Sequence, residues 1–128
     1  MFSKGKEKLE SFIGTNTHFT GDITVKGTLR VDGKVTGNIE TDWLILGDKS
    51  TLKGNVTATG IIVAGTIEGN LNAKEMVEIK KKGQVKGDIV TNKLMVADGG
   101  FVNGKISMLS EETKIIELTK DKFKEAQS

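Results

Sequence analysis

Histidine, acidic and lysine residues are where any chemistry of this chain would have to reside, and their spacing does not bring them together. His18 is the single histidine and has no evident partner, so it reads as an exposed coil residue. Asp32, Asp48 and Asp98 each adjoin a glycine, where aspartate ordinarily serves a turn. A metal site needs several converging ligands; this chain has no His/Cys cluster and no cysteine at all. Gly99, Gly104 and Lys105 match the glycine–lysine part of a phosphate-binding loop. Ile106, however, stands where a Ser or Thr is needed for magnesium, and it falls on an inward apolar column rather than opening the helix such a loop requires. The run Lys80-Lys81-Lys82 lacks interleaved aromatics and reads as a solvated side of a coil that discourages sideways sheet association. No catalytic, cofactor-binding or metal-binding residue is assigned.

The bulk numbers agree. At 128 residues the chain is one domain or one short repeat array. A net charge of +2 is too small to imply nucleic acid. No apolar run is long enough to span a bilayer or serve as a signal-peptide core. The absence of cysteine is compatible with the cytoplasm. Sixteen glycines with no proline suit many tight corners between short strands.

What organises the chain is a figure of apolar, any residue, Gly, Asn or Asp, apolar. It first appears as Phe19-Thr20-Gly21-Asp22-Ile23 and returns five more times at intervals of fifteen to eighteen residues, the mark of a solenoid. Only the last copy departs, with Lys105 after Gly104. Aligned on glycines 21, 37, 54, 69, 87 and 104, three columns emerge. Two residues before each glycine stand Phe19, Val35, Leu52, Ile67, Val85 and Val102. Two after stand Ile23, Ile39, Val56, Leu71, Ile89 and Ile106, and eight before stand Ile13, Leu29, Leu46, Ile61, Ile79 and Val96. All eighteen are aliphatic or Phe in a chain 36% hydrophobic overall.

Period-two alternation rich in β-branched residues argues for strands. Three inward columns then predict a three-sided parallel β-helix of about six coils. At the usual inter-strand spacing it makes a rod roughly 25–30 Å long. With the columns so drawn, length variation falls in one corner, and the longest return, Asn72 to Glu78, should bulge there. Each central glycine either points inward or turns a corner at positive φ. Asp22, Asn38, Asn55, Asn70 and Asp88 should form a ladder of turn residues along one edge.

This divides the chain into a polar lead (1–12), a β-helix (13–108) and a charged tail (109–128). The lead is expected to be flexible rather than helical. In the tail, Ser110 suits a helix cap, with Glu111 and Glu112 in the first turn and lysines 120, 122 and 124 near the end. The competing reading makes Lys114–Leu118 a further strand.

The run Ser11-Phe12-Ile13-Gly14, Gly21-Asp22-Ile23, Gly27-Thr28-Leu29-Arg30-Val31-Asp32-Gly33 and Gly37-Asn38-Ile39 resembles the opening of bactofilins, and the likeness continues through 13–108. The resemblance implies a right-handed triangular parallel β-helix. It also implies a bacterial cytoskeletal scaffold that polymerises end to end without nucleotide into nonpolar filaments. In such proteins the filaments commonly lie at the inner face of the cytoplasmic membrane and organise cell-wall, cell-shape or motility machinery. Met1, Phe2 and Lys4 look like the membrane-targeting start of some members.

Solenoid ends leave unpaired backbone groups and an exposed core section. The candidate polymer interface is therefore Ile13, Phe19 and Ile23 at one end and Phe101, Val102 and Ile106 at the other. Phe101 stands beside an inward column, either on a contact surface or under the tail. The partners expected are the chain itself, the membrane surface and cell-wall or motility proteins, with no nucleic acid.

The enzyme alternative is the left-handed β-helix of hexapeptide acyltransferases. It calls for a uniform six-residue step and a supported catalytic histidine, and this chain offers neither. A carbohydrate-active right-handed β-helix calls for clustered acidic and basic residues on one face, and none can be assembled.

Overall fold

In the computed structural model, which describes residues 9–109, every regular element is a β-strand and every pairing is parallel. The strands form an eight-stranded and a six-stranded sheet, in which each inner strand pairs with the equivalent segment one coil earlier and one coil later. The long strands Ile23–Val31 and Leu71–Ile79 carry register shifts, between Val25 and Thr28 and between Ala73 and Met76. There the strand bends, so each coil contributes three extended segments. The result is a three-sided parallel β-solenoid of six coils, and the longest coil bulges between Asn72 and Glu78 as the spacing predicts.

Two of the three columns stack as the glycine alignment places them. Phe19, Val35, Leu52, Ile67, Val85 and Val102 follow one another in register, as do Ile23, Ile39, Val56, Leu71, Ile89 and Ile106. The third column needs correction, because that side carries two inward rows. One runs Ser11, Leu29, Leu44, Ile61, Val77 and Leu94; the other runs Ile13, Val31, Leu46, Val63, Ile79 and Val96. Leu29 and Ile61 thus belong to the neighbouring row.

The cause is the corner that follows this side. It holds two residues after Val31 (Asp32-Gly33) and Val63 (Ala64-Gly65) and four in the other coils. The four-residue corners close on themselves by hydrogen bonds such as Ser50 N–H to Gly47 O, 3.1 Å, and Gly83 N–H to Lys80 O, 2.9 Å. Length therefore varies at two corners, this one and the bend, rather than one. Lys80-Lys81-Lys82 lies in such a turn, not on a side.

The first coil also begins earlier than expected. Leu9–Ile13 is a strand paired with Ile23–Val31, so residues 9–12 belong to the solenoid. Leu9, Phe12 and Ile13 suit a strand, and pairing with the next coil satisfies its backbone, so the polar residues before it did not mark the boundary. Met1, Phe2, Lys4 and the tail from Ser110 lie outside the described residues.

The core is a closed apolar cylinder in which Val31, Leu44, Leu52, Ile67, Val77 and Ile89 have no exposed surface. Val96, placed among the core columns by its spacing, is 48% exposed because no described strand lies on its outer side.

The central glycines turn a corner at positive φ, 148° at Gly54 and 151° at Gly69, which settles the two readings of their role. A Cβ on Gly54 would overlap the carbonyl oxygen of Gly37, and one on Gly69 that of Gly54, so the coils close on each other only where the side chain is absent. The residue after each glycine bonds across coils. Asn38 N–H donates to Asp22 Oδ1, Asn55 N–H to Asn38 Oδ1, Asn70 N–H to Asn55 Oδ1, and Asp88 N–H to Asn70 Oδ1, all at 3.0 Å. The ladder ends with Lys105 N–H on Asp88 Oδ1, also 3.0 Å. These side chains bond up the solenoid and staple one coil to the next.

Candidate assembly surfaces

The residues with chemical potential are dispersed. His18 is exposed in the strand His18–Thr20. Asp48 and Asp98 occupy four-residue corners, and Asp32 pairs with Arg30 through two hydrogen bonds, Arg30 Nε to Asp32 Oδ2 at 3.0 Å and Nη2 to Oδ1 at 3.1 Å. Lys80 Nζ meets Glu78 Oε2 at 3.1 Å. Among the described residues no three His, Asp or Glu side chains converge. The glycine–lysine match falls apart in space: Gly99 belongs to a turn, whereas Lys105 ends the ladder and is followed by the strand Ile106–Met108, not a helix.

The two ends are where the solenoid leaves work undone. Among the described residues, the segments 11–13, 18–20 and 23–25 at the N-terminal end each have a neighbour on one side only. Over that edge stand Ile13 and Ile23, half-buried, and Phe19, 38% exposed. At the C-terminal end Leu94–Val96, Phe101–Asn103 and Ile106–Met108 likewise pair on one side among the described residues. Here Phe101 is 49% and Ile106 42% exposed, with Val102 half-buried between them. The six residues read from the sequence as a polymer interface therefore lie three at each end. Phe101 itself points outward, in register with Gln84, while Val102 continues the inward column.

A second apolar surface was missed in the sequence. On the side bounded by segments 43–46 and 60–63, Trp43, Ile45 and Ile62 alternate with the buried Leu44, Leu46, Ile61 and Val63, and so face outward. Trp43 lies over Gly60, where an added Cβ would overlap its six-membered ring. The signal was available: these are apolar residues at the outward beats of the alternation. The inward columns draw attention away from them.

Among the described residues, strand edges without a neighbour stand above an apolar cross-section at both ends of a solenoid rod. Residues 11–107 match the family model of bactofilin, described as polymer-forming and cytoskeletal, and the chain belongs to the bactofilin family.

The chain is similar to bactofilin BacP of Myxococcus xanthus, 32% identical over 97 residues that cover 75% of this chain and 40% of BacP. The match thus spans two fifths of that relative's length. Bactofilin BacO of the same organism is 28% identical over 101 residues, covering 78% of this chain and 80% of BacO. Among solved structures, the cryo-EM reconstruction of Thermus thermophilus bactofilin double helical filaments is similar, with a TM-score of 0.70 and 27% identity. It covers 77% of this chain and 99% of that one.

Proposed function

We propose that this chain is a cytoskeletal scaffold that assembles end to end into filaments without nucleotide and pairs its strands laterally. The observation that carries the reading is the state of the two ends: among the described residues three strand edges are bare at each, framing Phe19 at one end and Val96, Phe101 and Ile106 at the other. Docking one end on another satisfies those backbone groups and removes that apolar surface from water together. Like end on like end gives a twofold joint and a filament without polarity. The Thermus thermophilus relative forms double helical filaments, which supports the lateral pairing.

The filament is proposed to lie on the inner face of the cytoplasmic membrane, held by the lead through Met1, Phe2 and Lys4. One Phe contributes about 1.5–3 kcal/mol on full burial, too little for a lone copy. Many copies in a filament make the attachment strong by avidity. There it would organise cell-wall, cell-shape or motility machinery, with the tail either covering the last coil or docking a client.

The test is electron microscopy of purified chain in nucleotide-free buffer, with co-sedimentation on anionic vesicles. Filaments that pellet with vesicles, and lose that pelleting on Phe2→Ala, are expected. Compact trimers without filaments would return the acyltransferase reading.

A further inference from the structure

The three flanks of the rod are not alike. Outward positions of one flank carry Thr24, Glu40, Thr57 and Asn72, and those of another His18, Lys34, Thr51 and Gln84. The third flank alone is apolar at its middle, with Trp43, Ile45 and Ile62 half-buried. Each end of this patch is bordered by a charged pair, Arg30–Asp32 on one coil and Glu78–Lys80 three coils on. An apolar centre with a polar rim is the anatomy of a protein interface.

The order of residues says what fits it. From first coil to last, one outward row reads Phe12, Arg30, Ile45, Ile62, Glu78, Met95. The adjoining row, followed by its inter-coil hydrogen bonds, reads Gly14, Asp32, Gly47, Ala64, Lys80, Ala97. Both rows are complementary to their own reversal. A half-turn about an axis lying between two flanks, parallel to the strands, reverses the order of coils and keeps strand direction. Arg30 then faces the second copy's Glu78, Asp32 faces its Lys80, Ile45 its Ile62 and Phe12 its Met95. Small residues meet small ones where the second row crosses the centre.

We infer that this flank is an isologous interface on which a second copy of the chain docks antiparallel, with Trp43 beside the twofold axis. The assignment rests on the proposed lateral pairing and gives it a surface and a direction. The symmetry makes every charge contact occur twice. Charges placed this way select register and orientation more than they add raw affinity.

The symmetry also supplies the test. Arg30→Glu sets Glu against Glu at both contacts of a self-pair, and Glu78→Arg sets Arg against Arg. Mixed in equal amounts, the two variants form a heteropair in which both contacts are again of opposite sign. The full chain is observed by negative-stain electron microscopy for strands per filament and by sedimentation for pairing. Trp43, the one tryptophan in a chain without tyrosine, reports burial by a blue shift of its emission.

Wild-type chain should pair, each single variant should lose pairing at least tenfold, and the mixture should regain it. Single variants that pair like wild type, or a mixture that stays unpaired, would overturn the assignment. Cooperative thermal unfolding checks that each variant is folded, and Asp32→Lys with Lys80→Asp provides an independent reciprocal pair. Failure of end-to-end growth is separable: it leaves antiparallel dimers without filaments, whereas failure of this interface leaves single-stranded filaments.

Discussion

Asn55 Oδ1 accepts the backbone N–H of Asn70 on the next coil at 3.0 Å, and the Asn55 backbone N–H donates to Asn38 Oδ1 on the coil before, also at 3.0 Å. One residue thus joins three coils, its side chain bonding the coil after it and its backbone N–H the coil before. Asn55→Ala leaves the Asn70 N–H to water and should lower stability by about 0.5–1.5 kcal/mol. Asn55→Asp keeps the acceptor and should stay near wild type. Urea unfolding of the two variants side by side checks this.

Gly54 is the steric counterpart of that ladder. Alanine there would overlap the Gly37 carbonyl and would also adopt φ near 148°, a region that L residues avoid. Gly54→Ala should cost about 2 kcal/mol or more. The expected readout is a lowered thermal midpoint or loss of the cooperative transition, and a wild-type midpoint would refute the close approach.

Ile67 and Val96 test where the core ends. Ile67, without exposed surface at mid-rod, should cost about 2–5 kcal/mol when replaced by Ala. Val96, half-exposed on the last coil, should cost about 1 kcal/mol or less. Equal costs would mean that Val96 is covered in the folded chain.

Phe19 and Phe101 stand at opposite ends of the rod, 38% and 49% exposed. Either Phe19→Asp or Phe101→Asp buries a charge in any joint built on that end and should abolish growth through it. Phe101→Asp, on an outward side chain, should leave the unfolding midpoint nearly unchanged, whereas Phe19→Asp, in the inward column, should also lower it. If joints are like-to-like, a chain blocked at one end still forms discrete dimers through the other. Sedimentation distinguishes dimers from monomers and long polymers.

Most of the solenoid was legible in the chain itself. The central glycines and the Asx residues after them hold a constant offset to two inward columns, because six invariant corners tie Val35 to Ile39 and Leu52 to Val56 in each coil. A fixed offset survives as a pattern, so those columns, the ladder and the bare ends could be read from residues alone. Only the fold decided which row Leu29 and Ile61 join, since a corner of two or four residues leaves the same apolar beat in either place and inter-coil pairing selects one. Pairing also made a strand of Leu9–Ile13, which the polar lead of residues 1–12 had concealed. And only stacking set Arg30 three coils from Glu78 on an outward row, a relation between residues far apart in sequence that no local periodicity encodes.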